Sequence, residues 1–217
     1  MQKILTQARG GLLSPTRSFI AEGLARPAPA PAPDDLHLVA RPDGARVTEA
    51  AVLVPLVDRN GRVQLLLTQR TPHLDNHAGQ ISFPGGRADP GDADVIDTAL
   101  RETQEEVGLP RERVQVLGPL NTYSTVSSYV VTPIVGLVQP PFELALDAFE
   151  VAEAFEVPLQ YLMTPAHHRR HAAEFEGVQR QFLSMPWQSV DAQGRPREYF
   201  IWGATAAMLR NLYHFLR

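Results

Sequence analysis

Cysteine is absent from all 217 residues. That excludes disulfides, thiolate zinc sites and a cysteine nucleophile, and it restricts any metal to oxygen or imidazole ligands. A surplus of positive charge is missing too. Twenty Lys and Arg stand against 24 Asp and Glu, a formal net charge of -4, so nucleic acid as a main partner has no electrostatic footprint. No apolar run is long enough to cross a bilayer. The N-terminal MQKILTQARGGLLSPTRSFIAEGLA lacks the uninterrupted apolar core and small-residue cleavage pattern of a secretory signal. A cytoplasmic location without membrane partners is expected, although Lys3, Arg9, Arg17 and Arg26 against Glu22 leave an amphipathic targeting segment open. No internal repeat is visible. What is present is ordinary for a globular chain: 44% hydrophobic and 20% charged residues, with length for one domain plus extensions or at most two small domains.

Residues 27–33, PAPAPAP, read as a stiff polyproline-type spacer. They divide the chain into an arm and linker, 1–33, and a main domain, 34–217, with the arm expected to be helical and to stand outside the main core. Beyond the spacer, AAVLVPLV (50–57), DRNG and RVQLLLTQR (62–70) predict a hairpin whose nearly all-apolar first strand is central and buried. A Gly-, Pro- and Asp-rich loop, HAGQISFPGGRADPGDAD, leads into DVIDTALRETQEEVG. There Ile96, Ala99, Leu100, Thr103 and Val107 recur at helical spacing, and Gly108 ends the helix as a left-handed cap. VQVLGPL, YVVTPIVGLV, AFEVPL, RQFLSMPW and REYFIWG predict further strands, LQYLM a short turn or helix, and ATAAMLRNLYHFLR a terminal helix.

The stretch RETQEEVGL sets Glu102, Glu105 and Glu106 on one helical face, expected opposite the apolar stripe. Like charges so placed cost up to about 0.5 kcal/mol per pair, and the C-terminal end of the helix dipole adds to the penalty. A hard cation reverses that sign, because Mg²⁺ or Mn²⁺ is held by clustered carboxylates and keeps positions for phosphate oxygens. A solvated acidic face is the alternative for the cluster alone. The turn PGG upstream tips the reading, since glycines at 85 and 86 let backbone approach a ligand closely and offer carbonyls to a metal.

These residues resemble the Nudix hydrolases. The signature of that family is a glycine, five residues, a glutamate, seven residues, then Arg-Glu, an apolar position, any residue, Glu-Glu, any residue, Gly and an apolar position. RETQEEVGL matches with Thr103 where an aliphatic is usual. The head of the signature departs: Gly86 lies fifteen positions before Arg101 instead of fourteen, and the early glutamate falls at Ala93, between Asp92 and Asp94. The coenzyme A pyrophosphatase subgroup is similar in its longer Asp-containing loop. It is also similar in its upstream signature, here LLTQRTPHLDNHAGQISFPGG, with Thr71 in place of Ser or Ala and Asp75 in place of an expected arginine.

The resemblance implies an α/β fold, a Nudix-type α/β/α sandwich with a mixed sheet, and metal-dependent cleavage of a small-molecule diphosphate of the coenzyme A kind. It implies metal ligation by Glu102, Glu106, Glu105 and the Gly86 carbonyl, Mg²⁺ or Mn²⁺ as cofactor, and Arg101 orienting the glutamates. Glu105 and Glu150 are candidates for the catalytic base, with Glu153 behind Glu150. Arg70, His77 and Gly85 are candidates for substrate binding. ADP-ribose or an oxidised nucleotide as substrate, and a non-catalytic nucleotide-binding module, are the alternatives. Dimerisation stays open. HHRRH (167–171) reads as a solvated loop and not a metal cluster, because its arginines disfavour a cation. Tyr123, Tyr129 and YFIW (199–202) are either buried strand aromatics or a stacking surface.

Overall fold

The computed structural model describes residues 17–26, 47–74, 76–125, 128–175, 178–190 and 194–217. The polyproline spacer and Asp75 lie outside the described residues, as do 1–16.

Strand β1 (Thr48–Arg59) turns through Asn60 and Gly61 into β2 (Arg62–Arg70). Asn60 and Gly61 both have positive φ, 56° and 84°, as a tight hairpin with primed turn geometry requires. Short β3 (Ile81–Ser82) pairs with β2, and β4 (Gly85–Arg87) pairs with β1. Helix α2 (Val95–Val107) follows; α1 is the arm helix Arg17–Leu24. After it come β5 (Val114–Pro119), β6 (Tyr123–Ser124), β7 (Tyr129–Val138), β8 (Val151–Pro158), the short helix α3 (Leu159–Leu162), β9 (Arg169–Phe175), β10 (Val178–Val190), β11 (Pro196–Trp202) and α4 (Gly203–Leu216).

The main sheet is mixed. Its spine runs β3-β2-β1-β7-β5, with β4 on β1, β6 on β7 and β8 on β2. β1 and β7 are parallel across ten residue pairs, and the other pairings are antiparallel. The apolar run of β1 explains its central place: Ala51, Leu53 and Val57 pack toward α2 with Ala99 and Val107. Val54 and Leu56 pack on the other side with Met208, Leu212 and Phe215 of α4. A strand buried on both faces needs no polar alternation. A second antiparallel sheet, β11-β10-β9, joins the α4 side through Met185, Tyr199 and Ile201. The α/β class, the mixed sheet between helices and the predicted hairpin are as expected.

Three expectations are corrected. The arm is helical, but Ile20 is fully buried in the α4-side core, so α1 contributes to that core. Gly23 allows this closeness, since a Cβ there would come within 2.9 Å of Leu216 Cδ2. The 167–171 segment is not a solvated loop: His167 stacks on Tyr161 at 3.8 Å, the His168 ring bonds the Leu162 carbonyl at 2.6 Å, and His171 lies on β9. The three glutamates do not share an exposed face either, because Thr98, Ala99, Thr103, Glu106 and Val107 form the buried stripe of α2. Glu106 stands three residues after Thr103, at the stripe's edge.

Candidate active site

Helix α2 is fixed at both ends by short-range chemistry. Asp94 caps its N-terminus, accepting from the amides of Ile96 and Asp97 at 2.8 Å each. Gly108, at φ 68°, closes its C-terminus with its amide on the Gln104 carbonyl. The helix lies against β1 and β4, which brings the Gly85-Gly86 edge to its glutamates.

Among the described residues Glu106 is the one acidic residue buried as a whole, 5% exposed. The Gly85 amide donates to its Oε2 at 3.0 Å, and Arg70 Nη1 lies 3.6 Å from its Oε1. Burial pushes its carboxyl up to about 7. The Gly85 amide and Arg70 oppose that shift, while Glu150 and Glu102 reinforce it. Gly85 has little freedom to be anything else: its φ is 146°, and a Cβ would sit 2.5 Å from Val52 Cα and the Ala51 carbonyl oxygen. At Gly86 the obstacle is different, because a Cβ there would meet Glu102 Oε2 at 2.3 Å. Partial burial also raises the Glu102 carboxyl, against the pull of Arg101.

Arg101 organises the outer part of the site. Its Nη1 donates to Glu102 Oε1 and to Glu105 Oε2, both at 2.9 Å, and Nη2 reaches the Arg87 carbonyl at 3.2 Å. Asp92 holds the other edge of the guanidinium, with Nε to Oδ1 at 2.7 Å and Nη2 to Oδ2 at 2.9 Å. This bidentate clasp holds the Asp92 carboxyl well below the usual carboxylate range. The Asp89 amide and the Thr98 hydroxyl also donate to Asp92 Oδ2. Asp92 is the site residue that sequence reasoning missed; its signal was its place beside Ala93, where the general signature has a glutamate.

The other candidates separate clearly. Glu150 lies across from Glu106, its Oε2 3.8 Å from Arg70 Nη2. Arg70 therefore bridges the two carboxylates, and its buried Nε has no hydrogen-bond partner among the described residues. Glu153 is turned away, accepting from Tyr199 OH at 2.8 Å and pairing with Arg197 at 2.8 Å. Glu105 is 61% exposed and meets only the outer edge of the site through Arg101. His77, at φ 59°, closes a turn by contacting Gln80 Oε1 at 3.0 Å. Of the stretch 199–202, Tyr199 and Ile201 are buried in the core, and Tyr199, Phe200 and Trp202 line a cavity of about 330 Å³ with Gln69 and Gln80. Gln69 reaches Gly79 and Arg197, away from the groups that Arg70 contacts.

Among the described residues no three His, Asp or Glu side chains enclose an ion-sized space. The donor chemistry still fits a hard divalent cation. Every candidate is an oxygen, and two partly or fully buried carboxylates carry raised pKa values that a cation would reverse.

Comparison with known proteins adds the following. The NUDIX domain family profile matches residues 47–178. The uncharacterized Nudix hydrolase NudL of Yersinia pestis (strain Pestoides F) is 41% identical over 183 residues, 84% of this chain and 86% of that protein. NudL of Yersinia pseudotuberculosis serotype O:1b (strain IP 31758) gives the same figures. Among solved structures, a C. elegans Ap4A hydrolase binary complex is similar over 52% of this chain and 81% of its own, with 25% identity and a TM-score of 0.45. A NUDIX hydrolase from Alicyclobacillus acidocaldarius is similar over 56% and 83%, with 20% identity and a TM-score of 0.46.

Proposed function

Because this chain belongs to the Nudix hydrolase family, we propose that it hydrolyses the diphosphate of coenzyme A or its derivatives. The products are a 4'-phosphopantetheine compound and adenosine 3',5'-bisphosphate. The observation that carries the reading is Glu106, a buried carboxylate set against Glu102 and Glu150 with Arg70 bridging two of the three. Carboxylates crowded in this way destabilise one another until a cation and an anionic ligand arrive together.

Glu102 and Glu106, with the Gly86 carbonyl and Glu105, would hold Mg²⁺ or Mn²⁺. When bound, such an ion supplies charge neutralisation and Lewis acidity at the phosphate oxygens. The chain's own residues do the rest. Arg101 and Asp92 keep Glu102 and Glu105 from swinging away. Arg70 offers its fork to a phosphate. Glu150 takes the proton of the attacking water, whose oxygen joins one phosphorus while the bridging oxygen leaves with the other phosphate; Glu105 is the second candidate. Preference for coenzyme A rests on LLTQRTPHLDNHAGQISFPGG and on the longer loop, in which Asp92 serves as the partner of Arg101.

A second reading, hydrolysis of ADP-ribose or an oxidised nucleotide, is favoured by Asp75, which reverses the charge expected in the coenzyme A signature. The test is product analysis over coenzyme A, ADP-ribose and an oxidised nucleoside triphosphate with Mg²⁺ or Mn²⁺. Cleavage of coenzyme A supports the first reading, and cleavage of the others with coenzyme A intact replaces it with the second.

A further inference from the structure

Phe149 exposes 66% of its surface, the most of any large hydrophobic side chain described. A single exposed apolar residue is normally unremarkable. This one is held in place beside the site. Its amide donates to Asp147 Oδ1 at 2.8 Å, and its carbonyl accepts from Thr71 Oγ1 at 2.7 Å. The next carbonyl, that of Glu150, accepts the Thr71 amide at 3.0 Å. Asp147 is itself tied to the end of α2, its amide on the Glu106 carbonyl at 2.9 Å. Every backbone group that sets the ring's direction is thus anchored to an element of the catalytic cleft.

A second ring stands with it. His73, also exposed, has its ring centroid 5.0 Å from that of Phe149 at 59°. The two rings flank charged neighbours already placed in the site: Arg70 lies three residues before His73, and Glu150 directly follows Phe149, with Arg70 and Glu150 paired. The cleft therefore sets Arg70, whose fork is the group offered to a phosphate, beside two exposed rings. No residue of the described core uses the outer face of Phe149. A diphosphate bearing a purine has this composition, an anion joined to a flat π surface that stacks on aromatic side chains with little demand on sequence or hydrogen bonding.

We propose that Phe149, backed by His73, is the shelf on which the purine ring of the substrate stacks, so that Phe149 determines specificity for base-bearing diphosphates. The inference rests on the diphosphatase reading of the adjoining site. Stacking makes its contribution to binding and not to the bond-breaking step, so it belongs in KM and Kd.

The probes are ADP and inorganic diphosphate, bound to the full chain. Phe149→Ala is expected to raise the Kd for ADP about tenfold while leaving that for inorganic diphosphate within about twofold. Because the side chain is exposed, the variant should fold as the parent does. His73→Ala should act in the same direction but more weakly, and Phe149→Trp should show emission quenched by ADP and not by inorganic diphosphate. Equal weakening for both probes, no weakening for ADP, or no ADP binding to the parent overturns the proposal. Turnover is scored separately: base-selective binding through Phe149 without cleavage of any diphosphate would leave the shelf standing and remove the enzymatic reading.

Discussion

Asp92 and Arg101 meet edge to edge, Nε on Oδ1 at 2.7 Å and Nη2 on Oδ2 at 2.9 Å, nine residues apart across the loop that precedes α2. The remaining nitrogen of that guanidinium carries both Glu102 and Glu105. Breaking the clasp with Asp92→Ala should lower kcat/KM and metal affinity by about 10- to 100-fold, as for other groups that orient a metal ligand. Isothermal titration with Mn²⁺ and steady-state kinetics on one preparation would check it. Since the Asp92 carboxyl is held low in the folded chain, its stabilising contribution is present above the ordinary carboxylate pKa and is lost as pH falls through the lower, folded value.

Glu106 shifts the opposite way. With its carboxyl pushed up to about 7 by burial, the metal-free folded chain keeps a proton that the unfolded chain has already released. Between the ordinary carboxylate value and about 7, stability must therefore fall as pH rises, by roughly 3 kcal/mol in all. Urea denaturation in EDTA at pH 5 and pH 7.5 should show that fall in the parent and a flatter profile in Glu106→Gln.

The two adjacent glycines should fail differently when changed to alanine. At Gly85 the new Cβ meets backbone at 2.5 Å and the φ is 146°, so Gly85→Ala should cost several kcal/mol, about 3 or more. At Gly86 the new Cβ meets only the end of the Glu102 side chain, which can move. Gly86→Ala should keep its Tm within about 2 °C and lose about 10-fold or more in metal affinity. Thermal unfolding and Mn²⁺ titration separate the two outcomes.

Glu150 and Glu153 lie three residues apart and should not behave alike. Glu150→Gln removes the carboxylate paired with Arg70 and should reduce kcat by about 10²-fold or more, the scale of a general base. Glu153→Gln weakens contacts to Tyr199 and Arg197. It should cost about 1 kcal/mol of stability with kcat little changed. A larger kcat loss in Glu153→Gln than in Glu150→Gln would reverse the assignment.

Much of this was legible in the sequence, for identifiable reasons. β1, β2 and β7 carry apolar runs long enough to declare a buried strand, and α2 has both a capping Asp94 and a stop at Gly108. β3, β4 and β6 are two or three residues long, too short for any period to show, and β9 has a polar pattern that masked its pairing with β10. In the site, helical spacing set Glu102, Glu105 and Glu106 on one side of α2, yet it could not tell that Glu106 faces inward and Glu105 outward. That depends on β4, whose Gly85 amide supplies a partner twenty-one residues away. Asp92 escaped for a related reason: its role is set by the fold of the loop, and the residue count only marked where to look. The burial of Ile20 was hidden by the spacer, which separates α1 from α4 in sequence and not in space.

A metal-dependent diphosphatase built around Glu106 should be visible in product analysis on coenzyme A. The parent and Glu106→Gln would be incubated with Mg²⁺ or Mn²⁺ and again with EDTA. The parent should give 4'-phosphopantetheine and adenosine 3',5'-bisphosphate in equal amounts, none with EDTA, and Glu106→Gln should be about 100-fold slower or more. Intact coenzyme A under all conditions, or cleavage that persists undiminished in EDTA or in Glu106→Gln, would contradict it.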